Sequence, residues 1–96
     1  MHETGLVRDL LGRIAVAAAA AGAERVRGVT IRLGALSQIS PEHFRAHFEE
    51  ESRGTPAEGA MLTIEDAQDI ADPRAQHVLL QSLDLDVPDG VAGRDG

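Results

Sequence analysis

The hydrophobic period of this chain changes at Gly22, and that change constrains the fold more than any other feature. Upstream, Leu6, Leu10 and Ile14 recur every four residues, with Val7, Leu11 and Ala18 widening the stripe. That is the pattern of a helix with one face on a core. Downstream, Val29, Ile31 and Leu33 alternate with Gly28, Thr30 and Arg32, the pattern of a strand with one buried face. The sequence therefore predicts a helix over about 3–21 and a strand over about 25–34. The alanine-rich run before Gly22 favours helix and permits close packing. Gly22 itself suits a left-handed stop. Glu3 places a negative charge at the positive end of the helix dipole, whereas Gly5 and Gly12 weaken the helix and predict a frayed first turn.

Ser40-Pro41-Glu42 marks a second helix start, with Ser40 as N-cap and Pro41 at the first helical position. Ile39 and Phe44 stand at the two positions of a hydrophobic staple. This helix is predicted to run to about residue 52, with Phe44 and Phe48 on its buried face. A second strand is predicted over about 60–66, with Leu62 and Ile64 inward, and a third over about 77–87. In the third the aliphatic phase shifts between Val78, Leu80 and Leu83, Leu85, which a bulge near Gln81-Ser82 reconciles. The expected fold is α+β, ordered helix-strand-helix-strand-strand, with both helices on one face of a three-stranded sheet. The last two strands are expected to form a hairpin. Its connection of about ten residues is longer than the two to five usual in hairpins, which suggests an insertion point. Residues 88–96 are rich in Gly and Asp and are expected to be a disordered tail.

Composition narrows the function. Ninety-six residues, 43% hydrophobic and 26% charged, suit one soluble domain, residues 1–87. Phe44 and Phe48 are the only aromatic residues, so the core is aliphatic and small, which leaves a homodimer open. The net charge of −7 argues against nucleic acid and against an anionic membrane surface. With no cysteine there is no disulfide, thiolate metal site or thiol nucleophile. No apolar run reaches the roughly 18 residues of a membrane span, and the start lacks a signal-peptide layout, so a cytoplasmic location is expected. Ser37, Ser40, Ser52 and Ser82 have no evident base with an orienting acid, and there is no phosphate loop. Glu49 to Glu51 form a run typical of a solvated face. No catalysis is expected.

The residue with the clearest chemistry is His2. It puts an imidazole beside the α-amine of Met1, and His2 and Glu3 add two backbone nitrogens in the same short segment. Amine, imidazole and deprotonated amides suit Ni(II) or Cu(II) in a tetragonal or square-planar field. Binding through these groups releases protons and strengthens with pH. The bulk of His2 also protects Met1 from aminopeptidase removal. Taken alone, the tripeptide more often means an exposed histidine at a frayed terminus. His43 and His47 are four apart on the second predicted helix and share a face, a spacing known in metal sites. With Glu42, Glu49, Glu50 and Glu51 nearby, the favoured reading of this pair is a solvated acidic face. His77 reads as a surface residue.

Taken in order, several segments together resemble the HypA/HybF family of nickel metallochaperones for [NiFe]-hydrogenase maturation. Met1-His2-Glu3 opens the chain as in that family. The run from Val26 through Gly34-Ala35-Leu36-Ser37 is similar to its first strand and Gly-x-Leu-Ser turn. Pro41 to Glu49 looks like its second helix. Arg53-Gly54-Thr55-Pro56-Ala57-Glu58-Gly59-Ala60 and the strand after it resemble its Arg-Gly-Thr-x-Ala-Glu-Gly-Ala stretch, and Leu80 to Asp86 its closing strand. The resemblance implies an Ni(II) site on Met1, His2 and Glu3. It also implies a nickel GTPase of the HypB type and the hydrogenase large subunit as partners. One departure is large. The family inserts a zinc domain held by two Cys-x-x-Cys pairs, and this chain has no cysteine. That domain is read as absent between about 66 and 76, and no zinc is expected. The alternative reading is a metal-free adaptor that keeps only partner binding.

Overall fold

The computed structural model describes residues 3–87, with side chains from Gly5 onward. The elements run α1 (Glu3–Ala20), β1 (Arg25–Leu33), α2 (Pro41–Glu51), β2 (Met61–Asp66) and β3 (Val78–Asp86). The fold is α+β, with the expected order of elements. The disordered tail expected over 88–96 lies outside the described residues.

The helix ends form as their residues dictate. Gly22 adopts φ 73°, and Ala23 N–H donates to the Ala18 carbonyl at 2.8 Å, closing the last turn of α1. At the start of α2, Ser40 is extended and its hydroxyl accepts from His43 N–H at 3.0 Å. Ile39 packs partly buried against the core, as a staple residue should.

β1 is the central strand. β2 pairs with it in parallel and β3 antiparallel, giving the order β2-β1-β3. The expected hairpin of the last two strands is therefore wrong, because β2 and β3 lie on opposite edges of β1. The reason is topological. After β1 the chain passes through α2 and returns in parallel on one edge, and β3 takes the other edge of β1, where its aliphatic residues join the same core. The segment 67–77 must then cross the end of β1. Two strand spacings are about 10 Å, more than a tight turn spans. At about 3.3 Å per extended residue the crossing itself needs only about three residues, and the rest of the segment forms local turns.

The crossing segment is anchored at both ends. Ala67 N–H donates to the Leu33 carbonyl at 2.9 Å, Gly34 N–H to His77 at 2.9 Å, and Leu36 N–H to Ala75 at 2.7 Å. Between these anchors it turns on Asp69 and Asp72, whose carboxylates accept from Ala71 N–H and Arg74 N–H, each at 2.9 Å.

Two bulges tune the sheet. In β3 the register steps from Ile31↔Leu80 to Thr30↔Ser82, leaving Gln81 unpaired, as the phase shift predicted. In β1 it steps from Gly28↔Asp84 to Val26↔Leu85, leaving Arg27 unpaired. Together they bring Val78, Leu80, Leu83 and Leu85 opposite the buried Leu33, Ile31, Val29 and Val26. Val7, Leu10, Leu11, Ile14 and Ala18 of α1 and Phe44 and Phe48 of α2 join these strand residues in one core. The Phe rings stack with centroids 6.3 Å apart. Both helices thus cover the same face. The opposite face, with Arg27, Thr30, Met61, Thr63, Ser82 and Asp84, is a shallow open surface.

Candidate metal centre

The donors expected from the sequence are Met1, His2 and Glu3. Met1 and His2 lie outside the described residues. Glu3 is the first residue of α1, and its backbone is helical. A helix leaves its first four N–H groups without intrahelical acceptors, so helix geometry does not spend the Glu3 amide on a carbonyl. That nitrogen is open to another role. Helix polarity also matters for the chemistry. The positive end of α1 disfavours a bare cation but favours the negative charge carried by deprotonated amide donors.

The base of this terminus is firmly held. Val7, Leu10 and Leu11 are buried, at 0%, 2% and 6% exposure. Flanking this stripe, Arg8 Nε donates to Glu51 Oε1 at 2.8 Å. Arg8 is in the second turn of α1 and Glu51 is the last residue of α2, so the two helix ends meet there. The hydrogen bond to Glu51, and then its charge, push the Arg8 guanidinium above its ordinary value. The cation nearest the terminus along α1 is thereby matched by a carboxylate. Gly5 sits in the first helical turn with open space around it.

The other histidines are apart from this terminus in the sequence. His43 is exposed and His47 half-buried, both on α2. His77 is exposed immediately before β3, where its carbonyl accepts from Gly34. Among the described residues, no group of three or more His, Asp or Glu side chains gathers as a metal site. The acidic run is split in role: Glu51 pairs with Arg8, while Glu49 and Glu50 are exposed. Ser40 and Ser52 are engaged in helix ends, the Ser52 hydroxyl donating to the Glu49 carbonyl at 3.2 Å.

Two contacts had no sequence signal. The Arg8–Glu51 pair joins residues 43 apart, and nothing in the local pattern of either marks the other. Arg45 reaches from α2 to donate to the Leu62 carbonyl of β2 at 3.0 Å. That bond covers part of an edge strand with a cation.

Comparison with known proteins agrees with this frame. The profile of a family described as hydrogenase/urease nickel incorporation, metallochaperone, HypA matches residues 1–73. A hydrogenase maturation factor HypA from Methanopyrus kandleri is 38% identical over 65 residues, covering 68% of this chain and 46% of that protein. One from Chloroflexus aurantiacus is 36% identical over 66 residues, covering 69% of this chain and 58% of that protein. This chain is an α+β protein of the HypA class, and it belongs to the HypA family. It spans about half the length of the relatives it matches. The solution structure of the Ni metallochaperone HypA from Helicobacter pylori superposes with a TM-score of 0.78 at 17% identity, covering 92% of this chain and all of that one. At that identity the likeness concerns the fold.

Proposed function

We propose that this chain carries Ni(II) at its N-terminus and hands it on during [NiFe]-hydrogenase maturation. The observation that carries this reading is that the family match begins at residue 1 and so includes Met1-His2-Glu3. Nickel is cargo here, and the chain's residues hold and release it. The Met1 amine, the His2 imidazole and the backbone nitrogens of His2 and Glu3 supply the donors, with the Glu3 carboxylate in reserve. Few contacts break when a terminal segment lets go of an ion, which suits transfer. That segment leads into α1, whose Val7, Leu10 and Leu11 are buried in the core. The partners of this reading are a nickel GTPase of the HypB type and the hydrogenase large subunit. No zinc role is assigned, since the chain has no cysteine.

The second reading is an adaptor that keeps the family fold and binds a partner without metal. The one feature on its side is that the sequence has no cysteine to hold the family's zinc domain. Calorimetric titration of untagged, Met1-initiated protein with NiCl2, beside His2→Ala, separates the two. About one nickel bound by the parent and lost in His2→Ala supports the carrier. No binding by the parent leaves the adaptor.

A further inference from the structure

We propose that the outer edge of β3 binds an extended segment of a partner protein in which aliphatic residues alternate with Lys or Arg. The segment adds to the sheet as a fourth, antiparallel strand along residues 82–86. The proposal does not rest on nickel binding at the N-terminus.

The backbone sets the stretch. Among the described residues the sheet ends at β3, since the strand order is β2-β1-β3. The Asp86 carbonyl accepts from Glu24 N–H at 3.2 Å and so faces the β1 side. Backbone groups alternate in direction along an antiparallel strand. Leu83 and Leu85 therefore turn their N–H and C=O groups to the outer edge. Two donors and two acceptors in one line are a template for strand addition. The bulge at Gln81 ends the stretch on one side. The other edge of the sheet is shorter and already engaged: β2 has six residues, and Arg45 covers the Leu62 carbonyl.

The side chains set the partner. Leu83 and Leu85 are half-buried, whereas Val29 and Val26, their register partners on β1, are each 2% exposed. Aliphatic residues on an added strand extend these two rows and cover the thinner side of the core. Asp84 and Asp86 alternate with the leucines and are exposed. β1 already sets cations against them: Arg27 lies 3.7 Å from Asp84, and Arg25 is the register partner of Asp86. Charge sign thus alternates from β1 to β3, and a basic residue on the next strand continues the alternation. A second copy of the same edge fits poorly. Antiparallel pairing of two copies over residues 82–86 sets the two Asp84 carboxylates directly opposite each other, and sliding the pair toward Asp86 sets Asp84 against Asp86. The net charge of −7 also opposes self-pairing and favours a basic partner.

The test uses the full chain, isotope-labelled for NMR, at about 0.15 M salt so that diffuse charge attraction is screened. The probe is the capped peptide Lys-Val-Lys-Val-Lys-Val-Lys. Beside it run the same peptide N-methylated at its valines, which cannot donate to the Leu83 and Leu85 carbonyls, and its Glu-Val counterpart. The Lys-Val peptide is expected to shift the amides of residues 82–86 and to slow hydrogen exchange at Leu83 and Leu85 by about 10-fold or more. The two control peptides should bind at least about 10-fold more weakly. Asp84→Asn combined with Asp86→Asn should weaken the Lys-Val peptide about 10-fold. Both aspartates are exposed, and an unchanged melting temperature checks the fold of the variant. The proposal is overturned if the Lys-Val peptide leaves residues 82–86 unmoved up to about 1 mM, a concentration that reaches weak recognition. Equal binding of the N-methylated peptide overturns it too, because strand addition then plays no part. So does slow exchange at Leu83 and Leu85 without peptide. With a mass of two chains by light scattering, that result would mean that a second copy holds the edge, and with a mass of one chain that the protein covers the edge itself.

Discussion

Gly34 approaches the backbone of Ala75 so closely that a Cβ at Gly34 would run into the Ala75 carbonyl group. The Leu36 N–H donates to that same carbonyl, and Ala75 is itself buried. The turn after β1 and the segment that crosses it are thus packed backbone to backbone. Gly34→Ala should cost about 1–3 kcal/mol or more, because backbone on both sides must move. Urea unfolding should show a lower midpoint with an unchanged slope. A midpoint equal to the parent's would mean the two backbones are not pinned together.

Phe44 is fully buried and stacks on Phe48 in a core otherwise made of aliphatic residues. Phe44→Ala is expected to cost about 3–5 kcal/mol, a large part of the stability of so small a domain. Thermal unfolding by circular dichroism checks this. A loss below about 1 kcal/mol would place Phe44 outside the cooperative core.

The cap on α2 makes a smaller, local contribution. Ser40→Ala removes the acceptor for His43 N–H and should cost about 1 kcal/mol, with Ser40→Asp restoring most of it. Amide hydrogen exchange in the first turn of α2 should rise in Ser40→Ala and return in Ser40→Asp. Equal exchange in all three proteins would show that the cap is not what holds that turn.

If the N-terminal amine is a nickel donor, adding Gly-Ser ahead of Met1 should abolish tight binding while leaving the fold untouched. The extension keeps the His2 imidazole but removes the amine beside it, so affinity should fall about 100-fold or more. Calorimetry reads the loss, and an unchanged melting temperature without metal confirms the fold. Undiminished binding at the same donors would remove the amine from the site.

Much of this fold is written locally in the chain. The helix of Leu6, Leu10 and Ile14, the strand of Val29, Ile31 and Leu33, and the Ser40-Pro41 start are one-dimensional patterns with one physical solution each. The Gln81 bulge was legible too, because Leu80 and Leu83 cannot share a face without it. The strand order was not, since the partner of β2 is decided by how the chain returns after α2. The bulge at Arg27 left only a faint trace, the three-residue step from Val26 to Val29. The demand for glycine at position 34 depends on Ala75, far along the chain. At the candidate metal centre the balance is reversed. Met1 and His2 are read from residue chemistry and family, while the structure contributes the helix that starts at Glu3.

The segment crossing β1 gives the domain a built-in place for added chain. Its fixed points lie at its two ends, at Leu33–Ala67 on one side and at Gly34–His77 and Leu36–Ala75 on the other. Residues 68–74 between them are held by short local turns and by one Arg32–Asp72 ion pair at 3.7 Å. No strand pairing passes through them. Extra length entered there leaves every sheet register intact and adds only about 0.6 kcal/mol of closure entropy per doubling. The sheet can therefore host a module of any size at this end, or none, and remain the same sheet.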